Sequence, residues 1–164
     1  MAPTSTLQRE IRQRRPFSSP AHESVVALLW TTDLVRRHAT ALLDGYGITL
    51  QQFNVLRILR GAGGDGMPTL EVAARMIEQT PGVTRLLDRL EAKGLVRRQR
   101  CPKDRRQHLC WITEQGGELL ASLDEPVHAT ARASLKGLSA AEQEELIRLL
   151  DRLRAAHHDE SSEG

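Results

Sequence analysis

Aromatic residues are scarce in this chain of 164 residues, of which they make up only 3%. They are Phe17, Trp30, Tyr46, Phe53 and Trp111. RNA-recognition and single-strand-binding surfaces stack successive bases on several aromatic side chains. The scarcity of such side chains therefore argues against these two classes of nucleic-acid-binding protein.

Cysteines and long apolar runs are also lacking. Two cysteines are too few for a disulfide framework in a chain of this size. No apolar run approaches the roughly 18 residues of a transmembrane helix, and the arginine-rich N-terminus lacks the apolar stretch of a signal peptide. Its composition would suit an organellar transit segment, but Glu10 and the absence of a clear cleavage boundary disfavour that interpretation. We therefore expect a soluble, cytoplasmic protein with reduced cysteines.

The net charge is only +2, but it is unevenly distributed along the chain. Positions 1–15 carry +3, positions 16–84 carry −1, positions 85–106 carry +6 and positions 107–164 carry −6. A concentrated basic block beside an acidic remainder is typical of a phosphate-binding face. A solvated charged helix would have the same composition, so the structural motif that holds the basic block has to decide between the two.

Helical periodicity begins after an N-terminal segment that contains several prolines. The pattern predicts a first long helix over 24–44. Its apolar stripe consists of Val25, Leu28, Leu29 and Val35. Thr49 and Gln52 have the spacing of a capping box, which predicts the start of a second helix.

The segment that follows has the pattern of a helix-turn-helix. A short helix is expected over 70–77, with Leu70, Ala73 and Ala74 on its inner side. Thr80 and Pro81 predict the N-cap and the first position of the next helix, and Gly94 predicts a left-handed residue after its end. The inner side of this second helix is expected to consist of Val83, Leu86, Leu87 and Leu90.

After Gly94 the period changes from that of a helix to that of a strand. Positions 96–101 and 107–113 flank a polar turn, which predicts a β-hairpin with a basic tip. The turn consists of Pro102, Lys103, Asp104, Arg105 and Arg106. If the hairpin closes symmetrically, Cys110 faces Arg98. A hairpin directly after a helix-turn-helix makes a winged helix.

Two helices are expected to close the chain. Thr113 predicts the N-cap of a long helix over 114–136, in which Pro126 is expected to cause a kink or a break. Ser139 and Glu142 form a second capping box, which predicts the start of the last helix. The leucines of that helix leave too much apolar surface for a monomer, which favours a dimer.

Three motifs in this order resemble the MarR family of winged-helix transcriptional regulators. They are the run from Thr84 to Arg98, the wing-tip triplet Asp104-Arg105-Arg106, and the run from Ile112 to Gly116. The resemblance covers about 23–154, and the order of elements also fits the family. A helix-turn-helix alone is a weak signal, whereas its coupling to this wing tip and to Thr-x-x-Gly is specific.

The resemblance implies a mainly α fold with a small β-hairpin wing, in which dimerisation helices flank the winged helix-turn-helix. It implies a homodimer that binds a pseudo-palindromic operator in double-stranded DNA, most often as a repressor. It also implies release of DNA by a small, often phenolic ligand in many members, and cysteine oxidation in others. The expected division is an N-terminal arm (1–22), a dimerisation helix (23–48), the DNA-binding domain (49–116), dimerisation helices (117–156) and a flexible tail (157–164).

The residues expected to contact DNA lie on the second helix of the motif and on the wing. They are Thr80, Thr84, Arg85, Arg89, Lys103, Arg105 and Arg106. Arginines one turn apart on such a helix read guanine edges or hold phosphates, and wing arginines suit the narrow minor groove. Asp104 would be repelled by phosphate, so we expect it to structure the turn. The alternative is an ordinary exposed helix with surface ion pairs.

An effector cleft is expected among the first, second and long fifth helices. Its candidate lining residues are Trp30, Arg37, His38 and Tyr46. An arginine or histidine there would pair with a carboxylate ligand. Cys101, His108 and Cys110 lack a fourth ligand and a standard spacing for zinc, so we expect neither a metal nor a cofactor.

Two other functions remain open at this stage. One is a winged-helix module that binds protein without binding DNA, although the basic block argues against it. The other is a regulator that senses oxidants through Cys101 or Cys110. We do not expect an enzyme, because the sequence shows no catalytic-triad order, no phosphate-binding glycine loop and no clustered pair of carboxylates.

Overall fold

A computed structural model describes residues 6–78, 82–102 and 107–160. The helices in these ranges are α1 (Thr6–Glu10), α2 (Pro20–Asp44), α3 (Leu50–Ala62), α4 (Thr69–Ala74), α5 (Val83–Ala92), α6 (Glu114–Ser134) and α7 (Ala140–Glu160). The strands β1 (Met67–Pro68), β2 (Val96–Arg100) and β3 (His108–Ile112) form an antiparallel sheet in the order β1-β3-β2. The predicted mainly α fold with a hairpin wing is confirmed. Among the described helices, none is long and apolar enough to cross a membrane.

The predicted capping signals fix the starts of three helices. The Thr49 hydroxyl accepts a hydrogen bond from the Gln52 amide at 3.2 Å, and the Gln52 side chain accepts one from the Thr49 amide at 3.1 Å. Ser139 and Glu142 make the second predicted capping box before α7. The Thr113 hydroxyl caps α6. These starts depend on side chains within a few residues, which explains why the sequence predicts them.

Other helix boundaries differ from the predicted ones. α2 begins at Pro20, before the predicted start at position 24, because Ser19 caps it. α4 ends at Ala74, and its Leu70 is 78% exposed instead of facing inward. Val72 is the buried residue of this short helix, so its inner side is rotated from the predicted one. α7 continues to Glu160, into the segment predicted as a tail.

α5 begins two positions later than predicted, at Val83, with Gly82 at its N-cap. Gly82 has a φ of 118°, a left-handed conformation that residues with a Cβ atom rarely adopt. Glycine has a low helix propensity, and this left-handed conformation explains why a glycine nevertheless stands at the start of α5. The predicted cap and first position, Thr80 and Pro81, lie outside the described residues.

The end of α5 and the start of α6 meet closely. Gly94 has a φ of 70°, and the Leu95 amide donates to the Leu90 carbonyl at 3.0 Å, which is the predicted left-handed C-terminal cap. The Thr113 hydroxyl donates to the Gly94 carbonyl at 2.7 Å. A Cβ atom at Gly116 would lie 2.3 Å from the Leu95 carbonyl oxygen, so only glycine fits there. The Thr-x-x-Gly motif therefore holds α6 against the end of α5.

The hydrophobic core lies mainly between the winged-helix elements. It consists of Leu43, Ile48, Val55, Leu56, Leu59, Met67, Val72, Met76, Val83, Leu86, Leu87, Leu90, Leu95, Val96, Cys110, Leu120 and Leu123. α2 contributes only Leu43 to it, and no side chain that the structure describes on α7 is buried. The core thus belongs mainly to the winged helix, and α6 contributes Leu120 and Leu123 to it.

Candidate nucleic-acid interface and adjoining cavity

α5 separates its apolar and polar residues onto opposite sides. The inner side is buried, as predicted, and consists of Val83, Leu86, Leu87 and Leu90. Thr84, Arg85 and Arg89 are exposed on the other side. Neither arginine has an ion pair with any described residue. Two unpaired cations one turn apart are therefore available to an anionic partner.

Arg98 of β2 is directed back towards α5. Its Nε and Nη2 donate to Oε2 of Glu91 at 3.0 and 2.7 Å, and Nη2 also donates to Asp88. The side chain is only 18% exposed. Burial disfavours the charged guanidinium, but the hydrogen bonds to Glu91 and Asp88 outweigh this effect and raise the pKa of Arg98. Its charge is therefore neutralised within the protein.

The neighbouring arginines have different surroundings. Arg97 lies on the other side of β2, with its guanidinium 4.1 Å from the centre of the Trp111 ring. Trp111 donates to the Gly64 carbonyl at 3.0 Å, and a Cβ atom at Gly66 would overlap its ring. The base of the hairpin is thereby fixed to the loop before β1, while Arg100 is exposed further along the strand.

The remaining predicted DNA contacts lie outside the described residues. They are Thr80 before α5 and Lys103, Arg105 and Arg106 at the wing tip, together with the turn-structuring Asp104. The strands on either side of the tip pair as predicted, with Arg98 opposite Cys110 and Arg100 opposite His108. The contacts of the tip itself stay predictions.

Both cysteines are free thiols. Cys110 is completely buried in the core. Burial raises the pKa of its thiol, which lowers the fraction of the thiolate that reacts with oxidants. This environment disfavours Cys110 as a redox sensor. Over the described ranges, no three or more histidine, cysteine or acidic side chains are grouped so that they could hold a metal ion.

A cavity of about 230 Å³ lies among α2, α3, α6 and the segment after α4. Its apolar walls are formed by Val35, Ala39, Leu42, Leu43, Leu50, Phe53, Met76, Ile77, Val127 and Ala131. Its polar lining residues are Gln51, Asn54, Arg57, Glu78, Thr130 and Ser134. These three helices are the ones expected to surround an effector cleft.

The four residues predicted to line that cleft are not brought together around this cavity. They are Trp30, Arg37, His38 and Tyr46, and none of them lines it. Arg37 instead pairs with Asp33 on α2 at 3.1 Å. Tyr46 lines a separate depression beside Lys93. A role for the four in effector binding stays a prediction, and the sequence pattern does not reveal the residues that form the cavity.

The cavity adjoins the segment that leads into α5. Glu78 pairs with Arg36 of α2 at 2.5 Å and accepts a hydrogen bond from Gln51 of α3 at 3.1 Å. The Asn54 side chain accepts one from the Ile77 amide at 3.0 Å. α2 and α3 are thus joined to residues a few positions before α5.

Comparisons with known proteins agree on one family. A sequence model of the MarR family matches residues 46–107. A MarR transcription factor from Planctomyces limnophilus is 38% identical, with a TM-score of 0.66, over 83% of this chain and 98% of that chain.

Two further solved structures share the fold. MepR from S. aureus, in complex with DNA, is 22% identical with a TM-score of 0.72, over 79% of this chain and 95% of that chain. BpsR from Bordetella bronchiseptica, whose DNA binding is regulated by 6-hydroxynicotinic acid, is 24% identical with a TM-score of 0.71, over 80% of this chain and 98% of that chain. Because 38% identity extends over nearly the whole Planctomyces limnophilus protein, the chain belongs to the MarR family of winged-helix transcriptional regulators.

Proposed function

We propose that the protein binds a specific operator in double-stranded DNA as a homodimer and represses transcription until a small ligand releases it. The observation that supports this most directly is the exposed side of α5, where Arg85 and Arg89 have no ion pair among the described residues. A recognition helix enters the major groove with its N-terminal residues first. Thr84 lies in that first turn, where a hydroxyl suits a phosphate or thymine-methyl contact. The wing-tip cations complete the proposed DNA-binding face.

Apolar residues exposed on the long terminal helices support the homodimer. On α2 they are Val25, Leu28, Leu29, Leu34 and Val35, and on α7 they are Ile147, Leu149 and Leu153. Large apolar side chains exposed together on a helix mark a binding surface. A second copy of the chain covers these faces and presents two α5 helices to the two halves of a palindromic operator.

The proposed ligand is a planar aromatic acid that binds in the cavity. Apolar walls with a few polar groups suit a ring that carries one charged substituent. Arg57, whose guanidinium lies 5.8 Å from the centre of the Phe53 ring, has no ion pair among the described residues and is available to a carboxylate. The ligand that regulates the related BpsR, 6-hydroxynicotinic acid, belongs to this chemical class.

Selection of duplexes from a random pool tests operator binding. We expect enrichment of a palindrome whose half-site centres lie about 10 base pairs apart, or a multiple of that distance. Arg85→Ala and Arg89→Ala are each expected to weaken binding of the selected duplex by about 1–3 kcal/mol. Arg60→Ala on α3 is the control and leaves the affinity unchanged. No enrichment would contradict operator binding, and unchanged affinity in both α5 variants would show that the DNA-binding face lies elsewhere.

Thermal unfolding in the presence of benzoate, salicylate and 6-hydroxynicotinate tests the ligand. We expect at least one of these to raise the unfolding temperature and to release the selected duplex, because a ligand that binds only the folded state stabilises it. Arg57→Ala should abolish the rise. Arg37→Ala, outside the cavity, should not. If only Arg37→Ala abolished the rise in unfolding temperature, the ligand would bind at the cleft that the sequence predicts around Arg37 and not in this cavity.

A further inference from the structure

We propose that Arg98, Asp88 and Glu91 form a clamp that positions the wing against α5. The two carboxylates thereby favour DNA binding in spite of their negative charge. This inference rests on the proposed operator binding and adds positioning residues to it. Arg98 acts through the wing and does not itself contact DNA.

The need for a clamp follows from how the wing is attached. Only Lys93, Gly94 and Leu95 connect the end of α5 to the start of β2. β2 is an edge strand of the sheet, so β3 holds it on one side only. Trp111 and Thr113 fix β3, but an edge strand joined to α5 by one short connection can still vary its angle to that helix. A second tie, further along the strand, removes this freedom.

Arg98 supplies that second tie through both its backbone and its side chain. Its amide donates to Oε1 of Glu91 at 3.1 Å, while its guanidinium donates to Oε2 of the same carboxylate and to Asp88. Asp88 and Glu91 are three residues apart and therefore lie on the same side of α5. The planar fork of an arginine can bond two carboxylates at once, whereas a lysine ammonium lacks this fixed geometry. The low exposure of Arg98 strengthens these hydrogen bonds.

The sign of the charges separates positioning from a simple electrostatic effect. Carboxylates on a DNA-binding helix repel phosphate, so their removal strengthens DNA binding if they act only through their charge. If Asp88 and Glu91 act through the clamp, their removal weakens DNA binding. Arg98 also acts on DNA binding through position and not through its charge, unlike Arg85 and Arg89. Its charge is already paired with Asp88 and Glu91.

The test measures affinity for a duplex that the wild-type protein has selected from a random pool, at several salt concentrations. We expect Arg98→Gln and Glu91→Gln each to weaken binding roughly tenfold, with the salt dependence of the wild type. The variant that combines Arg98→Gln with Glu91→Gln should bind DNA no more weakly than Arg98→Gln alone, because Arg98 and Glu91 act as one unit. Asp88→Asn, which keeps the contact between Arg98 and Glu91, should weaken binding about threefold.

Arg60 and Asp124 provide matched controls. They form an arginine–carboxylate pair of 3.1 Å that joins α3 to α6, away from the wing. Arg60→Gln and Asp124→Asn remove the same charges as the clamp variants and should leave the affinity unchanged. Thermal unfolding of every variant shows whether it is folded under the conditions of the binding assay. If Arg98→Gln does not fold, the milder Asp88→Asn carries the test.

Three results would overturn the clamp. One is equal or stronger DNA binding by Glu91→Gln and Asp88→Asn. Another is a fall of about one in the salt slope of Arg98→Gln, because that would show that Arg98 itself neutralises a phosphate. The third result is measured without DNA. If the clamp holds the wing, amide hydrogen exchange over 96–100 should be faster in Glu91→Gln than in Asp124→Asn, so equal exchange rates would contradict the clamp. Failure of the wild type to select any duplex contradicts the proposed operator binding and leaves the exchange experiment to decide on the clamp.

Discussion

The winged helix and the long terminal helices bury their apolar residues in different ways. In α5 every residue of the apolar stripe is buried within the same chain. The stripe of α2 is as regular, yet Val25 is 57% exposed and Leu29 is 65% exposed. Helical periodicity therefore indicates burial against a partner surface without telling whether that surface belongs to the same chain. The apolar residues of the winged helix meet within the chain, whereas those of α2 and α7 are left exposed for the second copy that we propose.

The largest expected effect tests the core of the winged helix. Leu87 is completely buried, so Leu87→Ala should lower the free energy of unfolding by about 3 kcal/mol at any protein concentration. Leu149→Ala on α7 is the matched comparison, and its effect should grow with protein concentration if the proposed dimer covers Leu149. Urea unfolding at two protein concentrations measures both. If neither effect depended on concentration, the proposed difference between the two regions would be wrong.

A charge placed on α7 should have the next largest effect. Leu153 is 45% exposed, and Leu153→Asp should convert the dimer to a monomer, as measured by sedimentation velocity. A monomer binds one half-site at a time, so affinity for the selected duplex should fall on the order of a hundredfold. Leu70→Asp is the control for oligomeric state, since Leu70 is also an exposed leucine but lies on α4. A Leu153→Asp variant that stays dimeric would place the interface elsewhere.

The features that could be predicted from the sequence depend on neighbouring residues. The Thr49 capping box, the left-handed Gly94 and the register that places Arg98 opposite Cys110 are all confirmed. Each is fixed by side chains or glycines within about ten positions along the chain. The exposed side of α5, with Arg85 and Arg89, follows in the same way from the apolar residues between them.

The features that could not be predicted depend on contacts between distant segments. β1 has only two residues and shows no alternation, so nothing in the sequence indicates that it pairs with β3. The cavity takes its walls from four separate segments, and periodicity shows which residues share a face of α2 without showing which helix that face meets. The left-handed Gly82 could not be predicted, because the sequence pattern places the start of the helix at the preceding Thr80 and Pro81.

At the start of α6, where the two regions meet, alanine substitutions at two adjacent glycines should change the stability by smaller amounts and in opposite directions. A Cβ atom at Gly116 would lie 2.3 Å from the Leu95 carbonyl oxygen and 2.8 Å from Ile112, so Gly116→Ala should cost roughly 2 kcal/mol of stability. A Cβ atom at Gly117 would meet nothing within 4 Å, and Gly117→Ala should stabilise α6 by up to about 1 kcal/mol. Urea unfolding of both variants checks the signs. Equal effects would show that α6 does not approach the end of α5 as closely as the structure indicates.

The smallest expected effect concerns the ion pair between α3 of the winged helix and α6. The hydrogen bonds from Arg60 hold the pKa of Asp124 below its ordinary value of 3.8. The unfolded state therefore binds more protons than the folded state in this range, so the pair stabilises the protein above pH 3.8 and loses its effect as the pH falls through the lower, folded pKa. Wild type should unfold at a higher temperature than Asp124→Asn near pH 7, and the two should converge below pH 3.8. A difference that persisted in acid would show that Asp124 acts through packing. Because both side chains are about half exposed, the gap should stay small even at neutral pH, and the buried Leu120 and Leu123 of α6 should keep the two regions together without it.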